Sequence, residues 1–358
     1  MIETFLLFKI LLPTVAAFVI GITLTPVFSH LFYKYKLWKK TPRIDPSNTN
    51  SGGTGMGENF AAIYNKEEIK TPRIGGVIVW FSVVLTVFLS MITSELLVGF
   101  GIEDIQFISR NQTLIPFLSL LLGAGIGLVD DMLQIFGSQK QLAIGIPRRI
   151  RIAFVLFLGA IEGLWFHYRL GYSSIDLPFT DMNIMLGFGF VLFFMFVVLA
   201  LFSSSVIDGV DGMAAGVLAN IFAAYGFIAL IQSQFDIATF SFVVMGALLA
   251  FLWFNIPPAR FYLGETGTLS LTLSLAVIIF LTNTVVEFII IGLPLVITSA
   301  SSLGQIIARR FFNTKILKVA PLHHHLEVIG WSRAKITMRY WVFSIMCSAS
   351  GIILVIIS

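Results

Sequence analysis

Ten long apolar stretches constrain this chain more than any other feature. They lie at about residues 5–32, 76–99, 112–129, 151–168, 184–203, 213–232, 237–254, 267–283, 286–308 and 337–357. A helix needs about 20 mostly apolar residues to cross the hydrocarbon core of a bilayer. Inside that core each backbone N–H and C=O must find its partner within the protein, which a helix provides from its own turns. The sequence therefore predicts an all-α polytopic membrane protein of about ten transmembrane helices, forming one transmembrane domain over 1–358. The eighth and ninth runs are joined by only a few residues around Asn283 to Glu287. Composition agrees: 57% of the 358 residues are hydrophobic and 12% are charged, against roughly 25% charged in soluble domains. Lipid is the expected solvent, and no nucleic-acid partner is expected. The single cysteine, Cys347, excludes a disulfide framework and a Cys-based metal site. The opening Met-Ile-Glu-Thr has no basic segment before the first apolar run, so that run is expected to be a retained helix and not a signal peptide.

Basic residues accumulate in cytoplasmic loops. Of the 23 here, all but Lys9, Arg110 and Arg169 fall in or beside the connections that follow the first, third, seventh and ninth runs. That asymmetry predicts both termini on the extracytoplasmic side. Residues 45–65, rich in Gly, Ser and Asn, read as a flexible cytoplasmic insertion.

The acidic residues sort by the same parity. Asp130 and Asp131 end the third run, Asp208 and Asp211 precede the sixth, and Glu265 precedes the eighth. His323, His324, His325 and Glu327 lie between the ninth and tenth. All these connections follow odd-numbered helices, so they share one face whichever way the chain is inserted. The other face carries scattered carboxylates: Glu103, Asp104, Asp176, Asp181 and Asp236.

Each cluster has an ordinary reading and a chemical one. Asp130-Asp131 could merely solvate a helix end, yet carboxylates are disfavoured at a C-terminus, where the helix dipole is negative; a cation would compensate. Asp208-Gly-Val-Asp211-Gly could be a plain turn. Its carboxylates, three apart, could also share one face. Gly264-Glu265-Thr266 could cap a helix, or set a carboxylate beside a helix N-terminus that favours phosphate. Three successive histidines supply donors near neutral pH, and without Cys or a second His pair a Zn site lacks ligands. Oxygen ligands on one face, with Arg148, Arg149 and Arg151 nearby, suit Mg²⁺ held by one or two carboxylates and a substrate's phosphates. A transporter would instead place ionisable groups near mid-membrane, where Glu162 is nearly the only acidic residue.

At these residues the sequence resembles the bacterial phospho-N-acetylmuramoyl-pentapeptide transferases, within the larger polyprenyl-phosphate N-acetylhexosamine-1-phosphate transferase family. The resemblance runs through TPRIGG (71–76), GLVDD (127–131), DGVDGMAAG (208–216), FNIPPARFYLGETG (254–267) and APLHHHLEVIGW (320–331). It implies transfer of phospho-MurNAc-pentapeptide from UDP-MurNAc-pentapeptide to undecaprenyl phosphate, yielding a lipid-linked diphosphate of peptidoglycan synthesis and UMP. The alternative is a homologue that transfers another N-acetylhexosamine phosphate, such as GlcNAc-1-phosphate. The resemblance further implies Mg²⁺, a homodimer, a bacterial plasma-membrane location with a cytoplasmic site, and a ninth helix broken on the cytoplasmic side. By similarity, Asp130, Asp131, Asp208, Glu265 and His324 are catalytic, and Glu265, Asp130 and Asp131 bind metal. Lys70, Asn255, Asp211, Tyr262, Arg151, His323 and His325 are expected to contact substrate, Tyr262 by stacking on uracil. Four positions depart from the family's pattern: Glu265 stands for Asp, Ser205 for Asn, Gln134 for Lys and Arg151 for Lys.

Overall fold

The computed structural model describes residues 2–39, 71–99, 105–109, 112–137, 145–180 and 182–358. The 45–65 insertion and Lys70 lie outside the described residues.

The apolar runs pair their backbone groups within their own helical turns, and the order is α1 (Ile2–Lys34), α2 (Gly76–Gly99), α3 (Leu114–Phe136) and α4 (Arg148–Arg169). A short antiparallel hairpin follows, β1 (Ser174–Asp176) paired with β2 (Asn183–Met185), with Ile175 opposite Ile184. Then come α5 (Gly189–Ser203), extended by a 3₁₀ turn at Ser204–Ile207, α6 (Met213–Ile231), α7 (Phe235–Asn255) and α8 (Gly264–Leu281). The chain ends with α9 (Phe288–Ile291), α10 (Leu293–Phe312), α11 (Leu322–Val328) and α12 (Arg333–Ile357). Among the described residues, nine helices are long and apolar enough to cross a membrane.

The expected ninth crossing differs from the single run at 286–308. It is split at Gly292 into the single turn α9 and the longer α10. Pro294, in the first turn of α10, lacks an N–H and its ring opposes a carbonyl one turn back. The Phe288 ring fills the space beside Gly292, with ring atoms 2.4 Å from where a Cβ would stand. The break was expected on the side of the acidic loops. It lies instead beyond the C-terminal end of α8, at the opposite end of the bundle, and α10 runs unbroken from Leu293 to Phe312.

α8 is the central helix. Its sequence explains this: Thr266, Thr268, Ser270, Thr272 and Ser274 are small, and all are buried. Hydroxyls of Thr268, Ser270 and Thr272 donate back to carbonyls of their own helix, those of Gly264, Gly267 and Thr268. With no bulk to hold neighbours away, backbones approach closely. A Cβ at Gly127 of α3 would stand 2.3 Å from the Glu265 carbonyl oxygen, and one at Gly76 of α2 would stand 2.3 Å from the Gly267 nitrogen. The start of α8 is thereby pinned between the end of α3 and the start of α2. α7 packs on α1 and α6, with Gly21 of α1 against Ala250.

Candidate active site

The acidic connections meet at one end of the bundle, around the N-terminus of α8. Asp131, fully buried on the last turns of α3, accepts two backbone N–H groups from α8: Glu265 N at 3.2 Å on Oδ1 and Thr266 N at 2.9 Å on Oδ2. A carboxylate there answers both the orphan donors and the positive end of the helix dipole. Asp131 thus ties α3 to α8 as an N-terminal cap supplied from another helix. Asp130 points the other way. Its Oδ1 accepts from Ile146 N at 2.6 Å, and its Oδ2 accepts from Gln134 Nε2 at 2.6 Å. Gln134 gives that carboxylate a donor without a charge.

Arg151 supplies the charge from α4. Its Nη1 lies 2.6 Å from Glu265 Oε1 and 3.7 Å from Asp130 Oδ2. The second Glu265 oxygen, Oε2, is buried and accepts no hydrogen bond from the described residues.

Asp208 Oδ2 accepts from Gly264 N at 3.1 Å, so the DGVDG turn also rests on the start of α8. Burial raises the Asp208 pKa to about 6; the Arg73 charge and the Gly264 N–H oppose this, and Glu265 and Asp211 add to it. Arg73 was absent from the expected site residues, yet its charge acts on both Asp131 and Asp208. Its TPRIGG segment explains its placement. Gly75 N and Gly76 N donate to the carbonyls of Tyr262 and Leu263, both at 2.9 Å, and Tyr262 N donates to Pro72 O at 2.8 Å. These bonds strap residues 72–76 along 262–264. Gly264, at φ +70°, leaves no room for a Cβ, which would stand 2.0 Å from the Arg73 carbonyl oxygen.

Asn255 clips two loops together, accepting from Gly212 N at 3.0 Å and donating to Phe261 O at 2.7 Å. Asp211 Oδ2 accepts from Ala259 N at 3.0 Å. Tyr262 is partly buried beside the strap, and Ser205 lies in the 3₁₀ turn before Asp208.

The histidines divide. His323 and His324 are buried, their ring centroids 4.3 Å apart, and both reach the DGVDG turn. A Cβ at Gly209 would stand 2.5 Å from His323 Nε2 and 3.1 Å from His324 Nε2. His323 has no hydrogen-bond partner among the described residues. Burial, and then the neighbouring His324, push its pKa well below the ordinary imidazole value, so it is neutral at pH 7. His325 turns back to its own loop, where its Nδ1 accepts from Lys318 N at 3.2 Å.

Asp130, Asp131, Arg151, Asp208, Asp211, Asn255, Glu265, His323 and His324 therefore form one connected assembly drawn from five separated segments. Its chemical character is clear: crowded carboxylates, guanidinium groups, a helix N-terminus and imidazoles, at the end of a hydrophobic bundle. Such a surface suits a phosphorylated substrate and a charge-neutralising cation.

Comparison with known proteins agrees. Residues 113–283 match the Glycosyl transferase family 4 profile. The phospho-N-acetylmuramoyl-pentapeptide-transferase of Latilactobacillus sakei subsp. sakei (strain 23K) is 30% identical over 332 residues, 92% of this chain and 94% of that protein. Proteins of the same name from Geobacillus sp. (strain WCH70) and Bacillus subtilis (strain 168) are 29% and 27% identical, covering 95% and 98% of this chain and 96% and 98% of their own lengths. With its signature segments folded into one site and this similarity running nearly end to end, the chain belongs to the phospho-N-acetylmuramoyl-pentapeptide-transferase family of membrane glycosyl-1-phosphate transferases.

Proposed function

We propose that this chain transfers phospho-MurNAc-pentapeptide from UDP-MurNAc-pentapeptide to undecaprenyl phosphate at a bacterial plasma membrane, releasing UMP. The observation that carries the reading is the convergence of Asp131, Asp208, Glu265 and the Arg73 and Arg151 charges on the N-terminus of α8. An oxygen of the lipid phosphate bonds to the sugar-linked phosphorus while the bond from that phosphorus to the UMP oxygen breaks. One phosphoanhydride replaces another, so no ATP is required. The attacking phosphate is already largely ionised near pH 7. Positioning and charge neutralisation are therefore the main demands on the protein.

Mg²⁺ fits the donor set. Glu265 has a buried oxygen without a hydrogen-bond partner among the described residues. Asp208 uses one oxygen on Gly264 N, and Asp131 retains lone pairs beyond its two N–H bonds. Asp130 has both oxygens engaged, one by Ile146 N and one by Gln134. Mg²⁺ commonly takes one or two carboxylates and completes its shell with phosphate and water. Bound there, the ion would neutralise charge on the diphosphate. Arg151 and Arg73 would contribute to the same end, His323 and His324 would face the sugar-phosphate side, and Asn255 and Asp211 hold the loop carrying Tyr262, expected under the uracil.

The excess of basic residues in the loops on the site's side supports a cytoplasmic active site. The resemblance supports a homodimer, which sedimentation in detergent would check. The deciding experiment is UMP release by purified protein with undecaprenyl phosphate, Mg²⁺ and a panel of UDP-sugars. Turnover with UDP-MurNAc-pentapeptide is expected. Turnover with UDP-GlcNAc alone would replace the reading by the GlcNAc-1-phosphate alternative, and release with no UDP-sugar would overturn it.

A further inference from the structure

Glu327 lies outside the assembly just described, yet it is the residue on which His324 leans. The His324 Nδ1–H donates to Glu327 Oε2 at 2.6 Å. The other carboxylate oxygen, Oε1, accepts from Arg333 Nε at 2.7 Å. Both oxygens are thus committed to opposite sides, and the Glu327 side chain is only 8% exposed. Burial opposes its ionisation, but the bonds and charges of His324 and Arg333 outweigh it and hold the carboxyl below its ordinary range. A carboxylate anchored at one end by a guanidinium and at the other by an imidazole has little freedom to turn. The partner of one ring nitrogen decides the tautomer and direction of the other. Here that leaves His324 Nε2 directed at the DGVDG turn, 3.1 Å from where a Cβ at Gly209 would stand.

We infer that Glu327, locked by Arg333, is a positioning residue that holds His324 with Nδ1 protonated and Nε2 presented to the anionic end of the substrate. This rests on the proposed transferase function. α11 is only Leu322–Val328, two turns long, so its own backbone cannot fix the ring; the Arg333 anchor, from the first turn of α12, supplies the rigidity. His325, on the same short helix but without the carboxylate, turns to Lys318 N instead.

The test combines kinetics with a spectroscopic signature in the full-length protein in detergent. Loss of the outer-shell partner that orients a metal-ligating His typically costs about 10–100-fold, and a comparable factor is expected for His324. Glu327→Ala is expected to lower kcat/KM for the UDP substrate by that factor, with kcat carrying most of the loss. Glu327→Gln, which keeps an acceptor for Nδ1–H, is expected to recover part of it. In a His324→Ala background the same Glu327 changes should add less than about twofold, because residues acting as one unit are not additive. In ¹⁵N-histidine-labelled protein, with five histidines in all, a downfield Nδ1–H proton resonance should vanish in both His324→Ala and Glu327→Ala. Wild-type rates in Glu327→Ala would overturn the inference. So would a Glu327 defect that persists in full without His324, or a resonance that survives Glu327→Ala. Should the wild-type protein release no UMP with any UDP-sugar, the transferase reading falls, and the resonance alone still decides how His324 is held.

Discussion

Replacing Asp131 by Asn tests whether this residue acts as the clamp on α8. The carboxylate is fully buried and accepts two N–H groups, from Glu265 and Thr266. Asparagine has nearly the same shape but one acceptor oxygen; its NH₂ must face the second N–H. One hydrogen bond to a charged acceptor is lost, about 1.5–3 kcal/mol, and a buried donor is left facing a donor, about 1–3 kcal/mol. Allowing for partial relaxation of the first turn, about 3 kcal/mol remains. Expressed as displacement of Glu265, that corresponds to roughly a hundredfold in rate at 1.36 kcal/mol per decade. The same loss should lower the thermal midpoint in detergent. Glu265→Gln is the matched control. It removes the charge but leaves both Asp131 bonds in place, so UMP release should fall while the midpoint stays near wild type, since the amide oxygen can still accept from Arg151 Nη1. An Asp131→Asn protein that keeps at least about a third of the wild-type rate, with an unaltered melting curve, would refute the argument.

Asp208 ties stability to pH. Its folded pKa of about 6 exceeds the ordinary 3.8, so between those values the folded chain holds a proton that the unfolded chain releases. Stability therefore falls as pH rises through that window, and the cost is fully present above it. Asp208→Asn should melt above wild type at pH 7.5, match it near pH 4, and lose UMP release; equal midpoints at both pH values would contradict this. Gly264→Ala should abolish turnover or assembly, because a left-handed φ costs about 1–2 kcal/mol for a residue with a Cβ, and that Cβ would meet the Arg73 carbonyl oxygen at 2.0 Å; expression and UMP release measure it. Arg151→Lys should keep turnover within several-fold, whereas Arg151→Ala should lose about tenfold or more in kcat/KM, since it leaves Glu265 without its 2.6 Å cation. Glu162, which among the described residues is bonded to Ser119 across α3 and α4, should tolerate Ala with turnover within about twofold and a slightly lower midpoint, as interhelical membrane hydrogen bonds contribute on average about 0.6 kcal/mol. A collapse of turnover there would argue for a working acid in mid-membrane.

The helical membrane character was legible in the sequence because it follows from local quantities, run length and hydropathy. Parity alone placed Asp131, Asp208, Glu265 and His324 at one end of the bundle. What each does there depends on partners far along the chain, which no local pattern encodes. Asp131 and Asp130 are adjacent, yet one caps α8 and the other faces Ile146 and Gln134, because successive residues on a helix point about 100° apart. Three identical histidines separate in the same way: His323 and His324 lie on Gly209, and His325 faces Lys318. Arg73 was visible only as a basic residue in TPRIGG; backbone pairing with residues 262–264 brings its charge to the carboxylates. The ninth run read as one crossing because apolar content does not register the Gly292–Pro294 break. Hydrophobicity is a sum along the chain, so sequence alone marked nearly all the candidate spans and which ends share a side. Hydrogen bonds are directional and join distant residues, so only the tertiary structure decided which oxygens are held, which nitrogens are aimed, and which carboxylate stands open.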